Sequence, residues 1–264
     1  MKRPVVDVPP LPRLLVEHAI RAALVEDMGR GGDVTTNATI PANARARAVL
    51  ASREAGRLAG MDFVTCAFQT LDPSITVDIR IPDGADVVPG DVIAVIEGPA
   101  RPILSAERVA LNFLGRLSGV ATATNRLVQK VGNAKARVIC TRKTTPGLRA
   151  FEKYAVRCGG GFNHRFGLDD GILIKDNHIV AAGGVTPAIT AARRHAGHMV
   201  HVEIEVDNLA QLEEALAAGA NSILLDNMSP DTLKKAVAIT AGRAVLEASG
   251  NITQDTIAAV AATG

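Results

Sequence analysis

Residues 11–28, LPRLLVEHAIRAALVEDM, place apolar side chains three and four positions apart, which predicts an amphipathic helix. The glycines of GRGGDVTT (29–36) end it. The period then shortens to two. ARAVLAS (46–52) and ITVDIRI (75–81) alternate closely enough to be strands. In PDGADVVPGDVIAVIEG (82–98), turn signals at Asp83-Gly84 and Pro89-Gly90 separate short β-type runs. These elements predict an N-terminal α/β domain with an antiparallel sheet over residues 1–115. SAERVALNFLGRLSGVATATNRLVQKV (105–131) returns to the helical period and links this half to the next.

From residue 137 short apolar runs alternate with helical stretches. RVICTRK (137–143) precedes LRAFEKYAVRC, GILIKDN (171–177) precedes VTPAITAARRHA, and HVEIEV (201–206) precedes NLAQLEEALAAG. SILLDN (222–227) precedes SPDTLKKAVAIT, and AVLEASG (244–250) precedes TQDTIAAVAAT. Such alternation predicts five parallel strands with right-handed helical crossovers, an α/β barrel or open sheet over residues 116–264. Ser229-Pro230 and Thr186-Pro187 read as N-caps ahead of proline, and Gly219 as a helix stop.

A polar side chain in a strand buried on both faces costs free energy unless it is used. Here each predicted strand is apolar and then ends in reactive groups. They are Arg142-Lys143; Lys175-Asp176-Asn177; Glu205 and Asp207; Asp226-Asn227; and Glu247, Ser249 and Gly250. Helix capping accounts for Asn208 and Asp231 but not for Lys175, Glu205, Asp226 and Glu247. Active sites of α/β barrels lie at the C-terminal ends of the strands, so these ends predict one shared rim. Part of it is cationic: Arg142, Lys143, Arg165 and Lys175, with His164 beside them. Guanidinium groups suit carboxylates and phosphates. Part is acidic: Glu205, Asp226 and Glu247. Two carboxylates facing phosphates suit Mg²⁺, which completes its shell from substrate and water. Ser249-Gly250 is expected to open a helix whose N-terminus takes a phosphate. The predicted substrates are a multiply anionic small molecule and a phosphorylated, magnesium-binding partner.

Composition sharpens this picture. The chain has 264 residues, 29 basic against 27 acidic, so no global field marks a nucleic-acid binder. The basic excess is local: residues 142–175 hold seven Lys/Arg and three Asp/Glu. Cys66, Cys140 and Cys158 show no zinc spacing and fit free thiols of a reducing, cytoplasmic protein. Cys140 and Cys158 read as core residues rather than nucleophiles. The N-terminus lacks the apolar run of a signal peptide, and no segment offers 18 consecutive apolar residues, so no membrane partner is expected. His178, His195, His198 and His201 lack metal spacing and read as surface or packing residues. GRGGD (29–33) follows a helix, so it reads as a turn rather than a phosphate loop. Gly159–Gly161 reads as a turn or hinge.

The stretches TRKTTPGLR, GGGFNHRFGLDDGILIKDNHI, VEIEVDNL, ILLDN and LEASGNI resemble the quinolinate phosphoribosyltransferase family. The resemblance runs from EDMGRGGDVTT to the last residues. It implies an N-terminal α/β sandwich joined to an open α/β barrel of about seven strands, assembled as a dimer or hexamer. It implies transfer of a phosphoribosyl group from phosphoribosyl pyrophosphate to quinolinate with decarboxylation, using Mg²⁺, in NAD synthesis. By that resemblance Arg142, Arg165 and Lys175 hold quinolinate. His164 and Lys143 line the same pocket, with Lys143 reaching toward the donor. Arg108 comes from the neighbouring subunit. Glu205 and Asp226 face the ribose hydroxyls and the metal, and Ser249 and Gly250 hold the 5′-phosphate. Family chains continue past AAVAATG (258–264) with a further strand, a phosphate-loop motif and a tail. A weaker grip on phosphoribosyl pyrophosphate is therefore expected here. Rival readings are a Schiff-base lyase using Lys175, an inactive relative, and another anionic ring as acceptor.

Overall fold

Val16, Ile20 and Leu24 repeat every fourth position along α1 (Arg13–Met28) and are buried, which is why this stretch is a helix with one inward stripe. The computed structural model describes residues 5–264. They form two compact units. The first comprises the chain up to Asn125 together with Thr144–Asn163; the second comprises Arg126–Lys143 and His164–Gly264.

In the first unit, α1 is followed by α2 (Val34–Thr39), β1 (Arg45–Ala51), β2 (Gly56–Arg57), α3 (Met61–Leu71), β3 (Thr76–Ile79), β4 (Asp86–Val87) and β5 (Val92–Pro99). The long α4 (Ala100–Val131) starts ahead of the predicted 105 and runs past the division at Asn125; α5 (Arg149–Cys158) completes the unit. Asp33 caps α2, its Oδ1 accepting the Thr36 N–H at 2.8 Å, so the glycine-rich stretch before it is the predicted turn. β5 is the centre of an antiparallel sheet ordered β1-β5-β3. Phe63 stacks on Phe113 at 4.8 Å and meets Phe151 edge-on at 4.9 Å. Pairs of this kind add about 0.5–1.5 kcal/mol to simple burial.

The second unit holds β6 (Ile172–Ile174), α6 (Asp176–Ala182), α7 (Val185–His195), β7 (Val202–Val206), α8 (Leu209–Ala217), β8 (Ser222–Asp226), α9 (Pro230–Thr240), β9 (Val245–Ser249) and α10 (Ile257–Ala261). The strands form a parallel sheet ordered β6-β7-β8-β9, as the βα rhythm predicted. Ile174, Ile204, Val206, Ile223 and Leu225 share one core with Ile189, Leu212 and Leu233 of the crossover helices. Strand alternation therefore turns Glu203, Glu205, Ser222, Asp226, Glu247 and Ser249 to the opposite face.

Two expectations change. Residues 137–143 form no continuous strand; only Ile139 makes a bridge. The apolar run there is three residues long, and the helix after it, α5, packs Phe151, Tyr154, Ala155 and Cys158 into the first unit's core. The segment is thus not a βα crossover, and the parallel sheet has four strands where five were expected. The compact units are not each continuous in sequence, since 144–163 belongs with the first. Thr186 is not an N-cap: Gly184 is, and Thr186 lies in the first turn of α7 with its N–H on Glu214 Oε1 at 2.9 Å. Ser229 does cap α9, and Asn208 caps α8. Gly159–Gly161 is a turn, as expected. A Cβ on Gly159 would lie 2.5 Å from the Ala121 carbonyl oxygen, and one on Gly161 would lie 2.8 Å from Thr124 Cγ2.

Candidate active site

The predicted cations come from three places in the second unit. Arg142 and Lys143 close the irregular segment before the division, Arg165 lies in the loop ahead of β6, and Lys175 stands at the end of β6. Arg165 donates from Nη1 to the Gly171 carbonyl at 2.9 Å. Its pKa is held below the ordinary value by burial and by the neighbouring Arg142 guanidinium. Two guanidinium groups pressed together in a partly desolvated site repel each other, and a bound anion relieves that repulsion. Lys143 is exposed, its backbone N–H bonded to Thr141 Oγ1 at 3.0 Å.

Lys175 Nζ bonds Glu205 Oε2 at 2.8 Å, joining the ends of β6 and β7. The lysine side chain is half-exposed and the glutamate nearly buried. A Schiff-base lysine needs a desolvated, uncharged amine, so this ion pair argues against that reading. Lys175 also caps α6: its N–H donates to His178 Nδ1 at 2.9 Å, which gives His178 a structural task. On β8, Asp226 Oδ2 accepts from Asn227 Nδ2 at 2.6 Å. Asn227 itself takes φ +52°, and its N–H reaches the Ser249 carbonyl.

Ser249 and Gly250 follow at the end of β9, but they do not open a helix as expected. Residues 250–256 form turns, and α10 starts only at Ile257. Asn251 adopts φ +55°, and Thr253 and Thr256 bond each other's backbone, consuming the residues a helical first turn would need. Gly250 has φ +90°, and a Cβ there would collide with the Asn227 side chain. The left-handed conformation suits asparagine as well as glycine, which accounts for Asn251 in this loop.

His164 sits behind the cations. Its Nδ1 accepts the Arg165 N–H at 2.7 Å, and its Nε2 lies 2.8 Å from Glu203 Oε2 and 3.5 Å from Glu247 Oε2. Glu203 also accepts from Ser222 Oγ at 3.0 Å. Burial works against the Glu203 charge, but the bonds from His164 and Ser222 outweigh it and hold the carboxyl below its usual range. Glu247 goes the other way: burial and the like charges of Glu203 and Glu205 push it up to about 7. Glu203 bonding of the ring raises the His164 pKa. Glu203 and Ser222 were not anticipated. The signal was present in VEIEV, where Glu203 and Glu205 share one face of an otherwise apolar strand.

Arg108 lies in the first unit, exposed on α4. In that unit the loop after Lys143 is fixed by Glu152, which accepts from the Thr145 N–H at 3.0 Å and from Arg116 Nη2 at 2.5 Å. Burial opposes the Glu152 charge, and the Arg116 and Thr145 bonds more than offset it, so its pKa falls. Arg149 donates to Thr144 Oγ1 at 3.0 Å. Burial pushes the Cys158 thiol up to about 12, which leaves it a core residue.

Parallel strands that deliver a cationic group and carboxylates at successive C-terminal ends define an α/β enzyme for anionic substrates. Residues 33–118 match the quinolinate phosphoribosyl transferase N-terminal domain and residues 120–264 the C-terminal domain. The chain is 44% identical over 251 residues to the probable nicotinate-nucleotide pyrophosphorylase (carboxylating) of Bacillus subtilis strain 168, covering 95% of this chain and 86% of that protein. It is 38% identical over 278 residues to quinolinate phosphoribosyltransferase (decarboxylating) 1b of Nicotiana tabacum, covering 98% and 79%. The solved nicotinate-nucleotide pyrophosphorylase of Francisella tularensis superposes with a TM-score of 0.92 at 42% identity, covering 97% of this chain and 90% of that one. The chain belongs to the quinolinate phosphoribosyltransferase family.

Proposed function

We propose that this protein transfers a phosphoribosyl group from phosphoribosyl pyrophosphate to quinolinate and releases pyrophosphate and CO₂, yielding nicotinate mononucleotide for NAD synthesis. The observation that carries the reading is the repulsion that Arg165 feels from the Arg142 guanidinium, in the unit that also carries Lys175 at the end of β6, in a chain of this family. Two guanidinium groups and an ammonium match a pyridine dicarboxylate better than a monocarboxylate. The ring nitrogen bonds C1′ of the ribose as the C1′–O bond to pyrophosphate breaks, and the leaving group takes the electron pair. The chain supplies no covalent nucleophile; its residues hold the acceptor in line and neutralise its charge. The ring nitrogen then carries positive charge, which stabilises the electron pair left on the adjacent ring carbon when its carboxylate departs as CO₂, and a proton from solvent completes that carbon.

Glu205 and Asp226 would hold Mg²⁺ on the donor side. Both carboxylates lie on the same face of adjacent strands, and hard oxygen donors in this small number fit an ion completed by substrate and water. The ion would neutralise developing charge on pyrophosphate. Ser249 and Gly250 lie at the end of the neighbouring strand β9, where they would meet the 5′-phosphate. Arg108 would act from a neighbouring subunit of a dimer or hexamer, and the reading places the enzyme in the cytoplasm. No helix among the described residues is long and apolar enough to cross a membrane.

Turnover with quinolinate and phosphoribosyl pyrophosphate, followed by release of CO₂ and pyrophosphate, tests the reading. Nicotinate in place of quinolinate is expected to give no product. Equal turnover with nicotinate, or none with quinolinate, would overturn it.

A further inference from the structure

Glu203 is a carboxylate buried in the middle of the sheet, at 5% exposure, and the proposed reaction gives it no direct role. It stands one strand register below Glu205, on the face that carries the site. Its two oxygens are assigned. Oε1 takes the Ser222 hydroxyl and Oε2 takes His164 Nε2. The other ring nitrogen is assigned as well, because His164 Nδ1 lies 2.7 Å from the Arg165 N–H, which can only donate. Nδ1 is therefore the acceptor and the ring proton sits on Nε2, facing Glu203. A relay of three bonds thus runs from Ser222 through Glu203 and His164 to the backbone of Arg165. The Arg165 guanidinium is tied in turn to the Gly171 carbonyl.

We infer that Glu203, braced by Ser222, is a positioning residue for the anion pocket: it fixes the tautomer and orientation of His164, and His164 fixes the backbone from which Arg165 reaches the acceptor. His164 on this account shapes the pocket without giving either nitrogen to the substrate. The inference rests on the proposed function for its kinetic consequence and on the hydrogen-bond chain for its structure. A carboxylate is suited to this place because it accepts from two donors at once in a site that excludes water. Leu or Ala there would leave the Ser222 hydroxyl buried without its partner and the imidazole N–H with only the longer approach of Glu247 at 3.5 Å.

The test uses three variants of the full chain. Glu203→Ala is expected to raise the quinolinate KM about tenfold, the worth of one charge-assisted bond, with the phosphoribosyl pyrophosphate KM within about twofold. Glu203→Gln keeps an acceptor oxygen for the ring N–H and is expected to recover most of that loss. Ser222→Ala, which removes only the brace, is expected to give a smaller loss of the same kind, and it serves if Glu203→Ala does not fold. Nitrogen-15 histidine spectra supply a readout free of catalysis. The wild-type His164 signal, assigned by loss in His164→Gln, should show a fixed Nε2–H tautomer that averages in Glu203→Ala or loosens in Ser222→Ala. An unchanged quinolinate KM, equal losses for both substrates, or no rescue by glutamine overturns the inference. Absent turnover in the wild type would overturn the proposed function alone, and the tautomer signal would still decide the role of Glu203.

Discussion

The Lys175 ammonium lies 2.8 Å from the Glu205 carboxylate, so the ends of β6 and β7 meet in an ion pair at the rim of the parallel sheet. That pair sits where the cationic and acidic parts of the site adjoin. Glu205 faces the same side as Asp226 on the next strand.

The arginine pair should carry acceptor binding. Arg142→Ala and Arg165→Ala are each expected to lose about 2–4 kcal/mol of quinolinate binding, measured by calorimetry, because each removes a charged contact from a partly desolvated site. Affinity within twofold of wild type for both would remove the anion pocket from consideration.

Asp226 should act on the donor. Asp226→Asn keeps the shape and removes the charge, so affinity for phosphoribosyl pyrophosphate with Mg²⁺ is expected to fall about tenfold or more while quinolinate affinity holds. A parallel loss for both substrates, with a lower thermal midpoint, would point to a folding defect.

Glu247 makes stability depend on pH. Its pKa rises from the ordinary carboxylate range to about 7 in the folded protein, through burial and the charges of Glu203 and Glu205, with His164 opposing. The folded state binds the proton more tightly than the unfolded state across that window, so stability should fall as pH climbs from about 4.5 to 7. His164, raised by Glu203, contributes in the same direction: its share is present below its unfolded pKa and fades as pH rises through the folded one. Glu247→Gln removes its own contribution and should raise the thermal midpoint more at pH 8 than at pH 5. An identical shift at both values would show that Glu247 does not titrate as described.

Gly159 is held by packing. Its alanine variant would press a methyl carbon onto the Ala121 carbonyl and Thr124, and overpacking of this kind costs about 1–3 kcal/mol. Urea unfolding of Gly159→Ala checks it; an unchanged midpoint would mean that the contact gives way easily.

A shared site can be tested by subunit mixing. Arg108→Ala and Lys175→Ala proteins, each inactive alone, are expected to regain part of the activity when mixed, because some mixed sites draw both residues from intact copies. No recovery after verified subunit exchange would assign Arg108 to another role.

Residue types at the ends of apolar runs were enough to locate Lys175, Glu205, Asp226 and Glu247 on one rim. A buried parallel strand tolerates few polar groups, so those it carries stand out in one dimension. The antiparallel first sheet, the β-then-α rhythm of the second unit and the caps at Ser229 and Asn208 were legible for the same reason, since each rests on local spacing. Three features were not local. RVICTRK looks like a strand in isolation, but the helix after it packs in the other unit's core, and only that packing removes it from the sheet. The glycines at 159–161 look flexible in sequence, whereas their surroundings make them tight. Glu203 reads as one acid in an alternating strand; its meaning comes from Ser222, nineteen residues away, and from His164 on a separate loop. Sequence by itself determined which chemistry the chain carries and which strand ends present it. The tertiary structure decided which of those groups touch, because hydrogen bonds across strands depend on register, and register is set by the packing of both sheet faces at once.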